Sequence, residues 1–103
     1  GDALLKKAGD LVGREVSAVA FVRDLVEFGF DGLVLRCDAD PCVAVGEVAY
    51  RFPKPGSRDA LCLIIGSTVL SVELVDGVQF AFTTSNGCRV SVPLAKGEGL
   101  RLA

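Results

Sequence analysis

The feature that most constrains this chain is a recurrence. Gly13-x-x-Val16-x-x-Val19-x-Phe21-Val22 aligns without a gap on Gly66-x-x-Val69-x-x-Val72-x-Leu74-Val75, and four of the ten positions are identical. After a one-residue deletion, Val26-x-Phe28-x-Phe30 aligns with Val78-x-Phe80-x-Phe82. Asp31-Gly32 then corresponds to Asn86-Gly87, displaced by three inserted residues. Each half opens on the same tripeptide, Asp2-Ala3-Leu4 and Asp59-Ala60-Leu61. Composition offers a second explanation, because valine-rich meanders resemble one another. The recurrence of glycine, strand, turn, aromatic strand and hairpin in one order favours a duplicated plan.

The local patterns predict the elements. Ala3, Leu4, Ala8 and Leu11 have helical spacing over 2–11, with Asp2 at the positive end and Gly13 as the stop. A strand is expected over 15–22, a turn at Arg23-Asp24, and a half-buried strand in which Val26, Phe28 and Phe30 alternate with Glu27 and Gly29. Asp31-Gly32 is a hairpin signal, and Leu33, Leu35 and Cys37 line one face of the next strand. A fourth strand over 43–52 is expected to be broken or bulged near Gly46. Pro53-Lys54-Pro55-Gly56 interrupts regular structure, and Ser57 is the expected N-cap of a helix over 58–65 stopped by Gly66. Strands over 69–75, 78–83 and 88–92 follow, with turns at Asp76-Gly77 and Asn86-Gly87, then a glycine-containing tail with a short edge strand at its end.

These patterns predict an α+β, strand-rich fold in a single domain spanning 1–103. Two pseudo-repeated helix-plus-three-strand units, 2–37 and 58–92, are linked by 38–57. They are expected to form curved antiparallel sheets or an open barrel, with an extra strand between the halves. With 103 residues the chain has material for one core.

Composition excludes several classes. The net charge of −2 supplies no basic field for a phosphate backbone, so no nucleic-acid binding is expected. The longest apolar run, 60–66, is far short of the roughly 20 residues that cross a bilayer, so no membrane span is expected. The N-terminal stretch carries no signal-cleavage pattern, and a cytoplasmic location is expected. No histidine is present, and of the four cysteines only Cys37 and Cys42 are close in sequence. A zinc site wants two such pairs, so neither a metal nor any other cofactor is expected. Cys62 and Cys88 read as small buried hydrophobes in a reducing compartment; a Cys37–Cys42 disulfide is the alternative for the remaining pair.

The run Leu11-x-Gly13-x-x-Val16-x-x-Val19-x-Phe21-x-x-Asp24-x-Val26-x-Phe28-x-Phe30-Asp31-Gly32, followed by Arg58-Asp59-Ala60-Leu61-x-x-x-Ile65-Gly66, resembles a group of small bacterial proteins of unknown function. The resemblance covers most of the chain and rests on apolar alternation and turn glycines. It implies a small bacterial cytoplasmic protein and supplies no catalytic residue. By analogy, some proteins of this size act as immunity partners of toxins.

Without histidine, Ser-His-Asp and Cys-His mechanisms are excluded. Arg36 and Arg89 adjoin Cys37 and Cys88, but strand neighbours point to opposite faces and would not lie over the thiols. Glu27 and Glu47 each interrupt an apolar strand and are the acid–base candidates; solvated faces are the simpler reading. Gly97-x-Gly99 opens no helix and is no phosphate loop. The segment most suited to contact a ligand is Arg51-Phe52-Pro53-Lys54-Pro55-Gly56-Ser57-Arg58. Arg51, Lys54 and Arg58 supply cations and Ser57 opens a helix, a combination fit for an anion or an acidic partner. Two functions follow. One is a non-catalytic interaction or binding module, toxin-immunity-like or dimeric, with a protein partner or self-association. The other is a small-ligand-binding or enzymatic domain with a pocket between the halves, lined by phenylalanines and Glu27 or Glu47.

Overall fold

Two short helices end in the same way, and the rest of the architecture starts where they end. A computed structural model of the chain describes residues 2–94 and 100–102. Helix α1 spans Asp2–Gly9 and α2 spans Ser57–Cys62. After α1, the amides of Asp10, Leu11, Val12 and Arg14 donate to the carbonyls of Lys7, Ala8, Gly9 and Leu11. After α2, the amides of Leu63, Ile64, Ile65 and Ser67 donate to Ala60, Leu61, Cys62 and Ile64. These i−3 bonds tighten the chain into 3₁₀-like turns that consume the free carbonyls of each helix end. Both turns finish on glycine in the left-handed region, Gly13 at φ +90° and Gly66 at φ +89°.

The two exits then bond to each other. Gly13 N–H donates to Val69 O (2.8 Å) and Gly66 N–H to Val16 O (2.8 Å). Val16 N–H donates to Ser67 O (2.8 Å) and Val69 N–H to Arg14 O (2.9 Å), around the antiparallel bridge of Glu15 with Thr68. From this junction the chain runs into two separate antiparallel sheets.

The first sheet has the order β1-β2-β3-β9, with β1 Ala18–Val22, β2 Leu25–Phe30, β3 Leu33–Cys37 and β9 Leu100–Leu102. The second has the order β5-β4-β8-β7-β6, with β4 Cys42–Val45, β5 Val48–Arg51, β6 Val69–Val75, β7 Gln79–Thr84 and β8 Cys88–Pro93. The strand-rich α+β expectation therefore holds. The described strands close no barrel; they form two distinct sheets.

Each meander gives its last connection to the other sheet. After β3 the chain crosses and β4 pairs with β8, Val43 opposite Val90. After β8 it crosses back and β9 pairs with β3, Leu102 opposite Leu35. Helix α1 lies against β6 and β9, and α2 against β1, β4 and β5.

The core fills the space between. Val26, Phe28, Phe30, Leu35 and Cys37 meet Val43, Phe80, Phe82, Cys88, Val90 and Val92, with Ala8, Leu11, Leu61 and Ile64 closing the helix side. Phe82 is the centre of an aromatic cluster, edge-on to Phe28 at 5.6 Å and to Phe30 at 5.5 Å. Edge-to-face contact suits the ring quadrupoles and fixes how the sheets sit on each other. The side chains of Ala3 and Leu4, the other half of the expected α1 stripe, lie outside the described residues, as does the tail over 95–99.

Several sequence expectations are corrected. Residues 43–52 are two strands rather than one: the break at Gly46, at φ +62°, is a full reversal that turns β4 back into β5 as a hairpin. Ser57 is not the N-cap; Gly56 takes that place at φ +85°, and Ser57 is the first helical residue. The helix expected over 58–65 ends at Cys62, because the 3₁₀-like turn begins there. The first strand starts at Ala18 rather than Glu15, since 13–16 is engaged with 66–69. Val78 is not a strand residue; it sits in the β6–β7 turn and is 57% exposed. Cys62 is exposed rather than buried, because its face of the short α2 points away from the core.

A Cβ at Gly13 or Gly66 meets nothing within 4 Å, so substitution there strains only the backbone. Gly13→Ala and Gly66→Ala should each cost about 1–2 kcal/mol, and by similar amounts, measured as shifts of the urea midpoint at unchanged m-value.

Candidate functional site

The sequence points to 51–58, and the structure builds this loop around one ring. Phe52 follows the last residue of β5, and its amide donates to Pro41 O at 3.0 Å, which anchors the loop to the start of β4. The Phe52–Pro53 peptide is cis. Phe52 is buried and stacks on Phe21 of β1, with centroids 5.7 Å apart and planes at 14°. The Lys54 amide donates to Arg51 O and the Ser57 amide to Lys54 O, so the chain turns twice before α2 begins.

The four expected residues are not brought together as one anion cradle. Arg51 and Lys54 are exposed. Arg58 instead lays its guanidinium over Phe52, 5.0 Å from the centroid, and over Phe21 at 5.7 Å. The negative face of each ring attracts the cation, so part of its charge is already engaged. Ser57 is fully buried, and its hydroxyl finds no hydrogen-bond partner among the described residues. It therefore presents no donor to a ligand at the surface.

What the loop does form is one wall of an open cleft of about 230 Å³, bounded by Arg23, Asp24, Asp40, Phe52, Pro53 and Arg58. Arg23 reaches it from the β1–β2 turn with a left-handed backbone, φ 56°. Asp40 comes from the β3–β4 crossing. The sequence reading missed Phe21, Arg23, Asp24 and Asp40 as neighbours of this loop. Only the loop's cations and prolines are visible in the sequence; the partners arrive from distant segments, and no local pattern announces them.

The cleft offers two guanidiniums, two carboxylates and an aromatic floor. Its charged groups are thus of both signs, set around one apolar ring. Among the described residues, no three Cys, Asp or Glu side chains gather as a metal-ligand group. The acid–base candidates lie elsewhere. Glu27 is paired with Arg36 at 2.7 Å on the outer face of the first sheet, and Glu47 is exposed in the β4–β5 turn. The phenylalanines Phe28, Phe30, Phe80 and Phe82 pack ring against ring and are buried. Arg89 reaches from β8 across β7 to Glu73 of β6 at 2.9 Å, so neither arginine beside a cysteine serves its thiol.

The cysteines are free thiols. Burial, with a smaller push from the Asp38 charge, raises the Cys37 thiol from its ordinary 9.0 to about 12. Such a thiol is a core residue, not a nucleophile. The chain matches no known protein family, no curated protein and no solved structure.

Two outcomes follow from this geometry. Ser57→Ala removes a buried unpaired hydroxyl and should raise stability by about 1 kcal/mol, whereas Arg58→Ala should lose about 0.5–1 kcal/mol of cation–π attraction. Paired urea melts read both. A proton held on Cys37 in the fold but released by the unfolded chain favours the fold below pH 9.0; this contribution fades as pH rises from 9.0 to about 12. Urea midpoints of the native chain and Cys37→Ala should therefore converge over that range, and Cys62 should be alkylated at neutral pH while Cys37 is spared until unfolding.

Proposed function

We propose that this chain is a non-catalytic interaction module that binds a protein partner, and that it is built from two copies of one helix-plus-meander unit. The observation that carries the interaction reading is the exposure of large aliphatic side chains on residues adjoining the junction of the two helix exits in the chain. Val12 and Ile65 directly precede Gly13 and Gly66, and Leu70 directly follows Val69, all three bonded across the junction. Val12, Ile65 and Leu70 are 47%, 44% and 58% exposed, and Leu63 on the same turn as Ile65 is 54% exposed. On this reading these side chains act together as a contact surface, which single scattered ones would not. The partner on this reading is a protein of a bacterial cytoplasm, such as a toxin that the module neutralises, or a second copy of the chain. Arg51 and Lys54, exposed in the loop before α2, are the cations of the 51–58 segment left to meet an acidic stretch of that partner, since Arg58 lies over Phe52 and Phe21 and Ser57 is buried.

The two-unit reading is supported by correspondence at a constant offset. Residues 7–16 and 60–69 make the same helix-end bonds and exchange the same four bonds at the junction. Residues 16–22 and 69–75 share one order of burial. The second unit then has one extra residue in each turn: Asp76-Gly77-Val78 against Arg23-Asp24, and Ser85-Asn86-Gly87 against Asp31-Gly32. Val26 and Phe28 thereby correspond to Phe80 and Phe82, which face Val92 and Val90 as Val26 and Phe28 face Cys37 and Leu35. This match differs by two residues from the one that sequence alone suggests. Each unit also ties its hairpin to its helix exit. Asn86 donates to Leu63 O, and Arg14 donates to both Asp10 O and Asp31 O.

Affinity capture with the intact chain from its native host, followed by mass spectrometry and ultracentrifugation, tests the interaction reading. The wild type should retain a stoichiometric partner or self-associate. The double variant Val12→Glu with Ile65→Lys should keep its circular dichroism and urea midpoint yet lose at least 90% of the retained partner, about a tenfold weakening. Unchanged retention by the variant, or a monomer that retains nothing, overturns the reading.

A further inference from the structure

One arginine of the cleft beside Phe52 sits where an arginine is unfavourable. Val22 pairs with Leu25, so Arg23 and Asp24 alone make the β1–β2 turn. Arg23 takes φ +56°, in the left-handed region that glycine enters freely and a Cβ resists. Among the described residues its side chain makes no hydrogen bond or ion pair that would offset this conformation.

The carboxylates of the cleft are equally without partners. Asp24 follows in the same turn, and Asp40 stands before Pro41, whose carbonyl accepts the Phe52 amide at 3.0 Å. Neither carboxylate has a hydrogen bond or an ion pair among the described residues, although Arg23 and Arg58 border the same space of about 230 Å³. Arg58 is engaged at the rings of Phe52 and Phe21. The stack of Phe52 on Phe21 and the bond from Phe52 to Pro41 tie the loop to β1 and to the start of β4. Opposite charges therefore border one small cleft without pairing with each other.

Charge and size narrow the occupant. Two carboxylates beside one uncommitted guanidinium repel a phosphate dianion and attract an ammonium group. Arg23 then suits a carboxylate on the same molecule. The terminus of a polypeptide brings one of these two charges, and a free amino acid brings both. Drug-sized ligands fill roughly 300–1,000 Å³, so a cleft of about 230 Å³ suits a smaller molecule. The lining that remains is Pro53 and the Phe52 ring, which suit an apolar side chain.

We propose that this cleft binds a free α-amino acid with an apolar side chain. Arg23 holds its carboxylate, Asp24 and Asp40 hold its ammonium group, and its side chain lies along Pro53 and the Phe52 ring. The ligand bridges charges that the fold keeps apart. The site uses neither the aliphatic residues at the junction nor Arg51 and Lys54, and it needs no protein partner.

Amide-shift titrations of the intact, ¹⁵N-labelled chain with L-leucine, N-acetyl-L-leucine and L-leucinamide test this. Saturable shifts with L-leucine are expected at 23–25, at 40 and in the loop over 52–58, and each blocked analogue should bind at least about tenfold more weakly. Asp24→Asn combined with Asp40→Asn should bring L-leucine and N-acetyl-L-leucine to within about twofold of each other, since the ammonium group then has no partner to lose. Arg23→Gly suits the left-handed turn, so it should keep its urea midpoint yet bind L-leucine about tenfold more weakly. Equal affinity for the three probes, shifts centred outside the cleft, no saturation at tens of millimolar L-leucine, or a folded Arg23→Gly that binds as the wild type does overturns the inference. Each of these results leaves the interaction reading standing, because that reading is judged by partner capture alone.

Discussion

Four backbone hydrogen bonds between 13–16 and 66–69 hold the rest of this structure in place. They are made at the points where each helix has just ended and each meander is about to begin. A glycine in the left-handed region is needed on both sides, because the chain must reverse sharply while keeping its amide aimed across the junction. Once these bonds exist, β1 and β6 leave in opposite directions. Each helix is then carried onto the other meander's first strand, α1 onto β6 and α2 onto β1. Val16 and Val69, both buried, seal the junction from the core side.

The meanders were legible because alternation and turn chemistry are local. Phe28 and Phe30 against Glu27 and Gly29, or Cys88, Val90 and Val92 against Arg89 and Ser91, declare an inward face within a few residues. What was not legible is where each strand goes next to its neighbours. Val43 reads the same whether it continues the first meander or crosses to the second sheet. Nor does the sequence distinguish Val78 in a turn from Val78 in a strand: reading a one-residue deletion where the turn has one residue more moves the whole aromatic register by two positions. Gly46 reads as a break or a bulge within a strand pattern, whereas its positive φ reverses the chain.

The candidate loop was legible as a loop and not as a site. Its charge and prolines are visible in sequence, but the stacking of Phe52 on Phe21 depends on β1 being delivered beside α2 by the junction. That same contact draws Arg58 away from the role its charge suggests. Charges elsewhere behave likewise, with Glu27 held by Arg36 and Glu73 by Arg89 on solvated sheet faces. Surface pairs of this kind contribute little to stability, about 0–1 kcal/mol each. They do settle which way the outer faces of both sheets present their charge.

The exchange of β4 and β9 between the sheets has a consequence for how the molecule is made. A ribosome releases β1, β2 and β3 early, yet their sheet gains its outer described strand only when residues 100–102 emerge. The second sheet, in contrast, has β4 and β5 waiting before β6, β7 and β8 appear. The first sheet therefore stays incomplete from the time β3 is made until residues 100–102 follow, and pairings this distant in sequence form slowly. The interval in which the apolar edge of β3 is open is set by translation rather than by chemistry, and shielding during that interval falls to whatever attends the tunnel exit.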